Sequence, residues 1–243
     1  MKIYNHIQNK YQAHECQLAV LIDPDLSNVS NLKKTIQYAE DAGVDLFFVG
    51  GSLVMNDYLD NSIKAIKNNS TIPVILFPGS PLQMSPEADA ILFLSLISGR
   101  NAELLIGSHV LAAPYLRMSG LEAISTGYIL VDGGIVTAVS YISNTQPIPS
   151  HKPEIAVSTA LAGQYLGMKC IYMDAGSGAK NPIPVEMIQA VRANINIPLI
   201  IGGGIRDIKQ VKAVKDAGAN IIVVGNAVEA NPTLIKEMKD AIQ

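Results

Sequence analysis

The chain alternates short, nearly uninterrupted apolar runs with longer amphipathic segments, and this alternation restricts the fold more than any other feature of the sequence. Runs rich in Val, Ile and Leu are typical of parallel strands covered on both faces, whereas half-exposed strands alternate apolar and polar residues. Between the runs, segments such as residues 28–43 carry apolar residues at helical spacing. The eight runs occupy residues 16–23, 45–51, 72–79, 89–98, 121–131, 169–179, 197–204 and 219–226.

Eight strand–helix units within 243 residues predict an α/β fold, a (β/α)8 TIM barrel that forms a single domain over residues 1–243. A doubly wound open sheet is the alternative. Residues 80–89 contain two prolines and no apolar period, which predicts a loop where a helix is expected. Residues 121–143 predict a strand that continues into a β-hairpin, with its turn at residues 132–134.

Composition excludes several classes of function. Lysine and arginine number 18 against 21 acidic residues, a net charge of −3, and no basic patch stands out, so nucleic acid is not an expected partner. Cys16 and Cys170 form no metal or disulfide spacing and are expected to be buried, as suits a reducing cytoplasm. The first residues carry no apolar signal core and no apolar stretch reaches the ~18 residues of a membrane helix. We expect a cytoplasmic protein, and composition leaves open a surface patch that touches a bilayer.

Glycine is concentrated where the predicted strands end. In a barrel all strand C-termini share one rim, and that rim carries the active site. Residues 202–204 after strand seven, 225–226 after strand eight and 174–178 after strand six are rich in small residues. Because glycine lets backbone N–H groups approach an anion, these loops predict a phosphate site. The alternative is that the glycines only make tight turns.

Acidic residues at the same rim predict a metal site and a residue that interacts with a substrate hydroxyl. Asp23 and Asp25 end strand one, and Ser52 follows strand two. A carboxylate and a hydroxyl suit Mg²⁺ that also contacts substrate phosphates, although a capping Asp and a turn Ser would look the same. Asp174, beside the glycine-rich loop, is a candidate general base or ligand of a substrate hydroxyl. A structural carboxylate that accepts backbone N–H bonds is the alternative.

The motifs LIDPD, VGGS, FPGS, YMDAGSGA, IGGGIR and VVGN, in this order, resemble those of the geranylgeranylglyceryl phosphate synthases and their heptaprenylglyceryl phosphate relatives. The resemblance covers nearly the whole chain, and YMDAGSGA with IDPD and GGS is its specific part. It implies a TIM barrel whose third helix is replaced by a loop. It also implies an Mg²⁺-dependent prenyltransferase that joins the 3-hydroxyl of sn-glycerol 1-phosphate to a polyprenyl diphosphate, with geranylgeranyl diphosphate expected, in ether phospholipid biosynthesis.

Carried over to this chain, the resemblance implies that Asp23 and Ser52 hold Mg²⁺ and that Asp174 takes up the hydroxyl proton. The family commonly has Glu at that last position, so the reach of a shorter Asp is in question. An apolar groove for the prenyl tail is also expected, and the residues expected to line it are Leu94, Leu96, Leu104, Leu105 and Tyr141. The residues expected to bind sn-glycerol 1-phosphate are Tyr172, Met173, Asp174, Ala175, Gly176, Ser177, Gly178, Gly203, Gly204, Gly225 and Asn226.

Partners follow from the same resemblance. Family members form dimers or hexamers, so a homo-oligomer is expected, and a lipid product implies transient membrane contact. Three alternatives stay open. One is a heptaprenylglyceryl phosphate synthase that uses a longer donor. Another is a different phosphate-binding barrel enzyme, such as a sugar-phosphate isomerase or a thiamine-phosphate-type synthase. The third is a barrel that binds a phosphorylated ligand without turnover. An apolar channel leading from the metal site would favour a prenyltransferase.

Overall fold

Eight parallel strands close into a barrel in the computed structural model, which describes residues 2–24, 29–52 and 58–243. The strands follow one another around the barrel in chain order, and β8 pairs with β1, so the (β/α)8 prediction is confirmed and the open sheet is excluded. Their bounds are β1 Gln17–Ile22, β2 Leu46–Val49, β3 Val74–Leu76, β4 Ala90–Leu96, β5 Glu122–Leu130, β6 Cys170–Asp174, β7 Leu199–Gly202 and β8 Ile221–Val224.

Helices surround the barrel. A π-helical turn, Glu103–Gly107, leads directly into the helix that follows β4. The α-helices in the described part of the chain are α1 Ile3–Gln12, α2 Val29–Ala42, α3 Leu59–Asn69, α4 Ser108–Ser119, α5 Ala138–Ser143, α6 Pro153–Tyr165, α7 Val185–Arg192, α8 Ile208–Asp216, α9 Asn226–Ala230 and α10 Leu234–Asp240.

The apolar core has two layers, because successive residues of a strand point to opposite faces of the sheet. On β6, Met173 belongs to the outer layer, which the helices pack against, whereas Tyr172 belongs to the layer inside the barrel. Ile7 of α1 is buried with the interior residues and helps to fill the barrel on its side away from the strand C-termini. This alternation determines which residues of each strand can reach a site inside the barrel.

The segment between β3 and β4 has no helix, as predicted: residues 80–89 form turns and irregular backbone. The predicted hairpin at residues 121–143 is wrong. After β5 the chain turns at Gly134, which has a φ of +85° and whose N–H donates to Asp132 Oδ1 at 2.8 Å. Thr137 and Ser140 then form a capping box that starts α5. The Asp-Gly-Gly signal therefore marks a strand-to-helix turn.

Both cysteines are free thiols, as expected. Cys170 is fully buried and Cys16 partly so, and burial raises the pKa of each to about 12. Across the described residues, no helix combines the length and the apolar character that a membrane span requires.

Candidate active site

One cavity of about 510 Å³ opens at the C-terminal ends of the strands. Residues on or just after all eight strands contribute to its wall, which is where barrels carry their active sites. Its volume is in the range of small-molecule sites. Three parts of the wall differ in chemistry: a rim of small residues after β6, β7 and β8, an acidic side after β1 and β2, and an apolar side formed by β4, α4 and α5.

Two glycines of the small-residue rim cannot be replaced without displacing neighbours. Gly203 and Gly204 have φ of +81° and +72°, a region that favours glycine. A Cβ at Gly203 would lie 2.5 Å from Asp174 Oδ1, and one at Gly204 would lie 2.6 Å from the Asn181 carbonyl oxygen. The chain thus brings bare backbone to the cavity wall at this point, as anion-binding loops do.

The loops after β6 and β8 are joined across this rim. The Ser177 hydroxyl donates to Asn226 Oδ1 at 3.1 Å, and both residues line the cavity. The Ser177 hydroxyl and the Asn226 amide lie next to exposed glycine backbone. They are neutral groups that can donate hydrogen bonds to the oxygens of a phosphate ester. The rim has the composition of a phosphate site that combines these neutral groups with one cation, because Arg206, directly after the β7 loop, also lines the cavity.

Asp174 ends β6 inside the barrel and is almost completely buried. Tyr128 donates its phenolic hydrogen to Asp174 Oδ2 at 2.6 Å, and the Gly176 N–H donates to Asp174 Oδ1 at 2.8 Å. Burial raises the pKa of Asp174, while these two hydrogen bonds lower it. A carboxylate held in this way, with its edge on the cavity, can accept a proton from a bound hydroxyl.

The acidic side of the cavity is built from two neighbouring strands. Asp23 follows β1 and lies against the loop after β2, since a Cβ at Gly51 would be 3.2 Å from Asp23 Oδ2. Ser52 is the next residue of that loop, and it also lines the cavity. Glu229 of α9 accepts a 3.4 Å hydrogen bond from the Asp23 N–H, and burial raises the pKa of Glu229. Asp25 lies outside the described residues.

The apolar side lies between β4, the π-helical turn, α4 and α5. His109, the second residue of α4, is buried edge-on against Phe93, with ring centroids 4.4 Å apart. Its Nε2 lies 3.2 Å from Ser95 Oγ, and that hydroxyl donates to the Leu105 carbonyl in the π-helical turn. The turn is thereby fixed to β4. The apolar residues that line the cavity here include Leu92, Phe93, Leu94, Leu96, Leu104, Ala112, Val139 and Ile142.

The start of α5, which forms part of the apolar side, contacts the loop that follows Asp174. Thr137, which precedes α5, packs so closely on Gly176 that a Cβ there would lie 2.6 Å from Thr137 Oγ1. Thr137 is itself buried. The apolar side and the small-residue rim therefore share a tight contact, although their lining residues differ in chemistry.

Most of the predicted site residues meet in this one cavity. Those that line it are Asp23, Ser52, Tyr172, Asp174, Ser177, Gly178, Gly203, Gly204, Gly225 and Asn226. Met173 and Ala175 do not line it, because their side chains pack in the layer beneath the helices. Gly176 contributes through its N–H to Asp174. Of the expected groove residues, Leu94, Leu96 and Leu104 line the cavity, whereas Leu105 does not and Tyr141 is largely exposed.

Sequence reasoning missed four residues that form or support the site. Tyr128 pairs in register with Tyr172 on the next strand, so strand periodicity could have placed it inside the barrel. His109 lines the cavity from a helix, and no motif marks its position. Glu229 and Gln83 lie on a short helix and in an irregular loop, where no periodic signal exists.

Comparison with known proteins gives consistent matches over the whole chain. The PcrB family model matches residues 11–242. A geranylgeranylglyceryl phosphate synthase of Chitinophaga pinensis is 54% identical over 241 residues, 99% of this chain and 96% of the relative. The wild-type GGGPS structure from Thermoplasma volcanium superposes with a TM-score of 0.93 at 36% identity, covering 100% of this chain and 98% of its own.

A second solved structure carries a ligand. The (S)-3-O-geranylgeranylglyceryl phosphate synthase of Thermoplasma acidophilum, in complex with its substrate sn-glycerol-1-phosphate, superposes with a TM-score of 0.94 at 33% identity. That match covers 100% of this chain and 98% of the other. Because the family model and full-length relatives match nearly the whole chain, this chain belongs to the PcrB family, among the geranylgeranylglyceryl phosphate synthases.

Proposed function

We propose that this protein is a prenyltransferase that forms the ether bond between sn-glycerol 1-phosphate and geranylgeranyl diphosphate. The products are 3-O-geranylgeranyl-sn-glyceryl 1-phosphate and diphosphate, and the reaction belongs to ether phospholipid biosynthesis. The observation that carries the proposal is the single cavity in which an anion-binding rim, a buried carboxylate, a second acid and an apolar wall all meet. Relatives at up to 54% identity that are named for this activity support it.

The small-residue rim is suited to the glycerol phosphate. The backbone at Gly203 and Gly204, with the Ser177 hydroxyl and the Asn226 amide, would bind the phosphate oxygens. Asp174 is next to Gly203, so a glycerol bound there has its free hydroxyls close to that carboxylate. The bound substrate named for the Thermoplasma acidophilum relative supports this assignment.

Asp174 is proposed as the base. As the O3–C1 bond forms, the bond from C1 to the diphosphate oxygen breaks, its electron pair leaves with the diphosphate, and the hydroxyl proton passes to Asp174. Tyr128 and the Gly176 N–H hold the two carboxylate oxygens in place. Burial excludes water that would otherwise compete with the glycerol hydroxyl for the prenyl carbon.

The acidic side is suited to the diphosphate and to Mg²⁺. Asp23 and Ser52 supply hard oxygen donors beside Gly51, whose missing side chain leaves room at the carboxylate. In the described residues no three acidic, histidine or cysteine side chains cluster, so this pair suits a cation that completes its shell with phosphate oxygens and water. When bound, Mg²⁺ neutralises charge on the departing diphosphate.

The apolar wall is suited to the isoprenoid tail and separates this proposal from its main rival. A sugar-phosphate isomerase would need the phosphate rim but no apolar side leading away from the acids. Here the wall runs from Leu92 on β4 to Ala112 on α4 and Ile142 on α5. A heptaprenyl donor remains the alternative to geranylgeranyl, because the wall alone does not set a tail length.

Assembly and location complete the proposal. We expect a homo-oligomer, a dimer or a hexamer, in the cytoplasm, with transient contact to a membrane that supplies the donor and takes up the product. Size-exclusion chromatography with light scattering tests the oligomer. Flotation with liposomes, with and without prenyl donor, tests the membrane contact.

The test of the activity is a donor series. The protein is incubated with Mg²⁺, sn-glycerol 1-phosphate and radiolabelled prenyl diphosphates of increasing length, and product is extracted into organic solvent. The proposal expects one donor length to give the highest kcat/KM and sn-glycerol 3-phosphate to be a poor acceptor. Absence of extractable product with every donor would overturn it.

A further inference from the structure

The loop that replaces the third barrel helix holds a buried glutamine against the acidic side of the cavity. Gln83 is 6% exposed and lies behind the cavity wall rather than in it. Its amide oxygen accepts from the Gly79 N–H at 3.1 Å and from the Gly51 N–H at 3.4 Å. Its amide nitrogen donates to the Gly51 carbonyl at 2.9 Å. One side chain therefore connects the loop after β2 to the loop after β3.

In the described residues, the backbones of these two loops approach each other closely at three glycines. A Cβ at Gly79 would lie 2.4 Å from the Gly51 carbonyl oxygen and 2.8 Å from Ser52 Cα. A Cβ at Gly50 would lie 2.1 Å from the Phe77 carbonyl oxygen. Because glycines form this contact, the spacing of the loops depends on the groups that hydrogen-bond their backbone, and Gln83 provides three such bonds.

The residues controlled by this spacing face the proposed diphosphate site. Gly51 lies beside the Asp23 carboxylate, whose Oδ2 is 3.2 Å from where a Gly51 Cβ would be. Ser52 follows Gly51, and Ser80 follows Gly79; both line the cavity. A shift of either loop would change the distances among these three side chains without touching the rim after β6, β7 and β8.

We propose that Gln83 is a positioning residue for diphosphate binding, acting through Gly51 and Gly79 on the placement of Asp23, Ser52 and Ser80. This inference rests on the proposed function, since it assigns the prenyl diphosphate to that side of the cavity. Glutamine suits the task because a primary amide presents a donor and an acceptor together. Glutamate of equal length would keep the acceptor, lose the donor to the Gly51 carbonyl and add negative charge beside an anion site.

The test compares Gln83→Leu and Gln83→Glu with a matched control. Gln164 of α6 also binds a loop, accepting from the Asn196 N–H just before β7, at the opposite end of the barrel. Gln164→Leu removes one amide-to-backbone contact at a half-exposed position far from the cavity, so it reports the loss of stability that such a contact causes by itself. For each protein we would measure thermal unfolding, kcat, the KM for the prenyl diphosphate and, by calorimetry, the Kd values for sn-glycerol 1-phosphate and for inorganic diphosphate with Mg²⁺.

Both Gln83 variants should weaken Mg²⁺-diphosphate binding and raise the donor KM by about tenfold or more, because Gln83→Glu leaves the Gly51 carbonyl without its donor and Gln83→Leu removes all three bonds. Gln83→Glu should be the weaker binder of the two, because of its charge. The Kd for sn-glycerol 1-phosphate should stay unchanged in all variants. Gln164→Leu should lower the unfolding temperature without changing either Kd.

Two results would overturn the inference. One is an equal loss of affinity for sn-glycerol 1-phosphate and for Mg²⁺-diphosphate, and the other is unchanged diphosphate binding in folded Gln83 variants. If Gln83→Leu does not fold, unchanged diphosphate binding in the isosteric Gln83→Glu would still overturn the inference. Failure of the wild-type protein to make any prenyl product would refute the proposed function, whereas the diphosphate titration would still judge Gln83 by itself.

Discussion

Tyr128 and Asp174 meet inside the barrel, where the phenol donates a 2.6 Å hydrogen bond to a carboxylate oxygen. Neither group has ready access to water, and burial raises the pKa of each. A buried carboxylate without such a partner would lose much of its tendency to ionise. The tyrosine therefore helps to keep Asp174 able to act as a base, although sequence reasoning did not single it out.

Replacing Tyr128 by Phe removes this donor and keeps the ring. The hydrogen bond lowers the Asp174 pKa, so its loss should raise that pKa and move the acidic limb of the kcat/KM profile to higher pH. We expect kcat at neutral pH to fall by about tenfold, as for loss of one charge-assisted bond. Tyr141→Phe, at a largely exposed position, is the control. An unshifted pH profile in Tyr128→Phe would contradict the proposed role.

Asp174→Asn should abolish turnover and yet stabilise the fold at neutral pH. The folded-state pKa of Asp174 is raised above 3.8, so the folded protein binds this proton more tightly than the unfolded chain does. Its contribution to the free energy of unfolding is present below pH 3.8 and is lost as pH rises through the folded pKa. The difference in unfolding free energy, Asn variant minus wild type, should therefore grow with pH. Denaturant titrations at several pH values measure it, and a difference that shrinks would contradict the assignment.

Asp23→Asn should lower kcat by on the order of a hundredfold or more, because the proposed Mg²⁺ site loses its carboxylate. Folding should be unaffected, since Asp23 is only partly buried. Calorimetric titration with Mg²⁺ and inorganic diphosphate gives a second measurement that does not depend on turnover. Asp216→Asn, at an exposed position of α8, is the control. Activity close to wild type would mean that the metal assignment is wrong.

Gly203→Ala should weaken sn-glycerol 1-phosphate binding, because the new methyl would meet Asp174 Oδ1 at 2.5 Å. Gly120→Ala is the matched control: its φ of +72° is similarly unfavourable, but a Cβ there meets nothing within 4 Å. Each variant should lose about 1–2 kcal/mol of stability from left-handed backbone strain. Only Gly203→Ala should change the Kd for the glycerol phosphate. Equal Kd values in the two variants would refute the phosphate rim.

Ala112→Phe should fill part of the apolar side, since Ala112 is buried and lines the cavity. The KM for long prenyl donors should rise while short donors are little affected, because only a long tail reaches α4. Ala113→Phe, on the exposed face of the same helix, controls for changes in helix stability. A donor series with both variants checks this. An equal rise in KM for donors of every length would indicate misfolding or a prenyl tail that does not bind along α4.

The sequence predicts the barrel well because each strand is covered on both faces and therefore reads as an apolar run. Gly203 and Gly204 are predictable for a related reason: their backbone conformation and close contacts leave no room for a side chain, so the sequence must have glycine there. The hairpin prediction at residues 121–143 failed because Asp-Gly-Gly allows several turns, and Thr137 and Ser140 decided in favour of a helix. Gln83 could not be found, since its role depends on two loops that meet only in the folded barrel.

The close packing of Thr137 on Gly176 joins the start of α5 to the loop that carries Asp174. An isoprenoid that displaced α5 would also move the backbone around the glycerol phosphate. The two substrates would then be thermodynamically coupled, and each would change the affinity of the other by the same factor. The affinity for each substrate would thus depend on one threonine–glycine contact outside both binding sites.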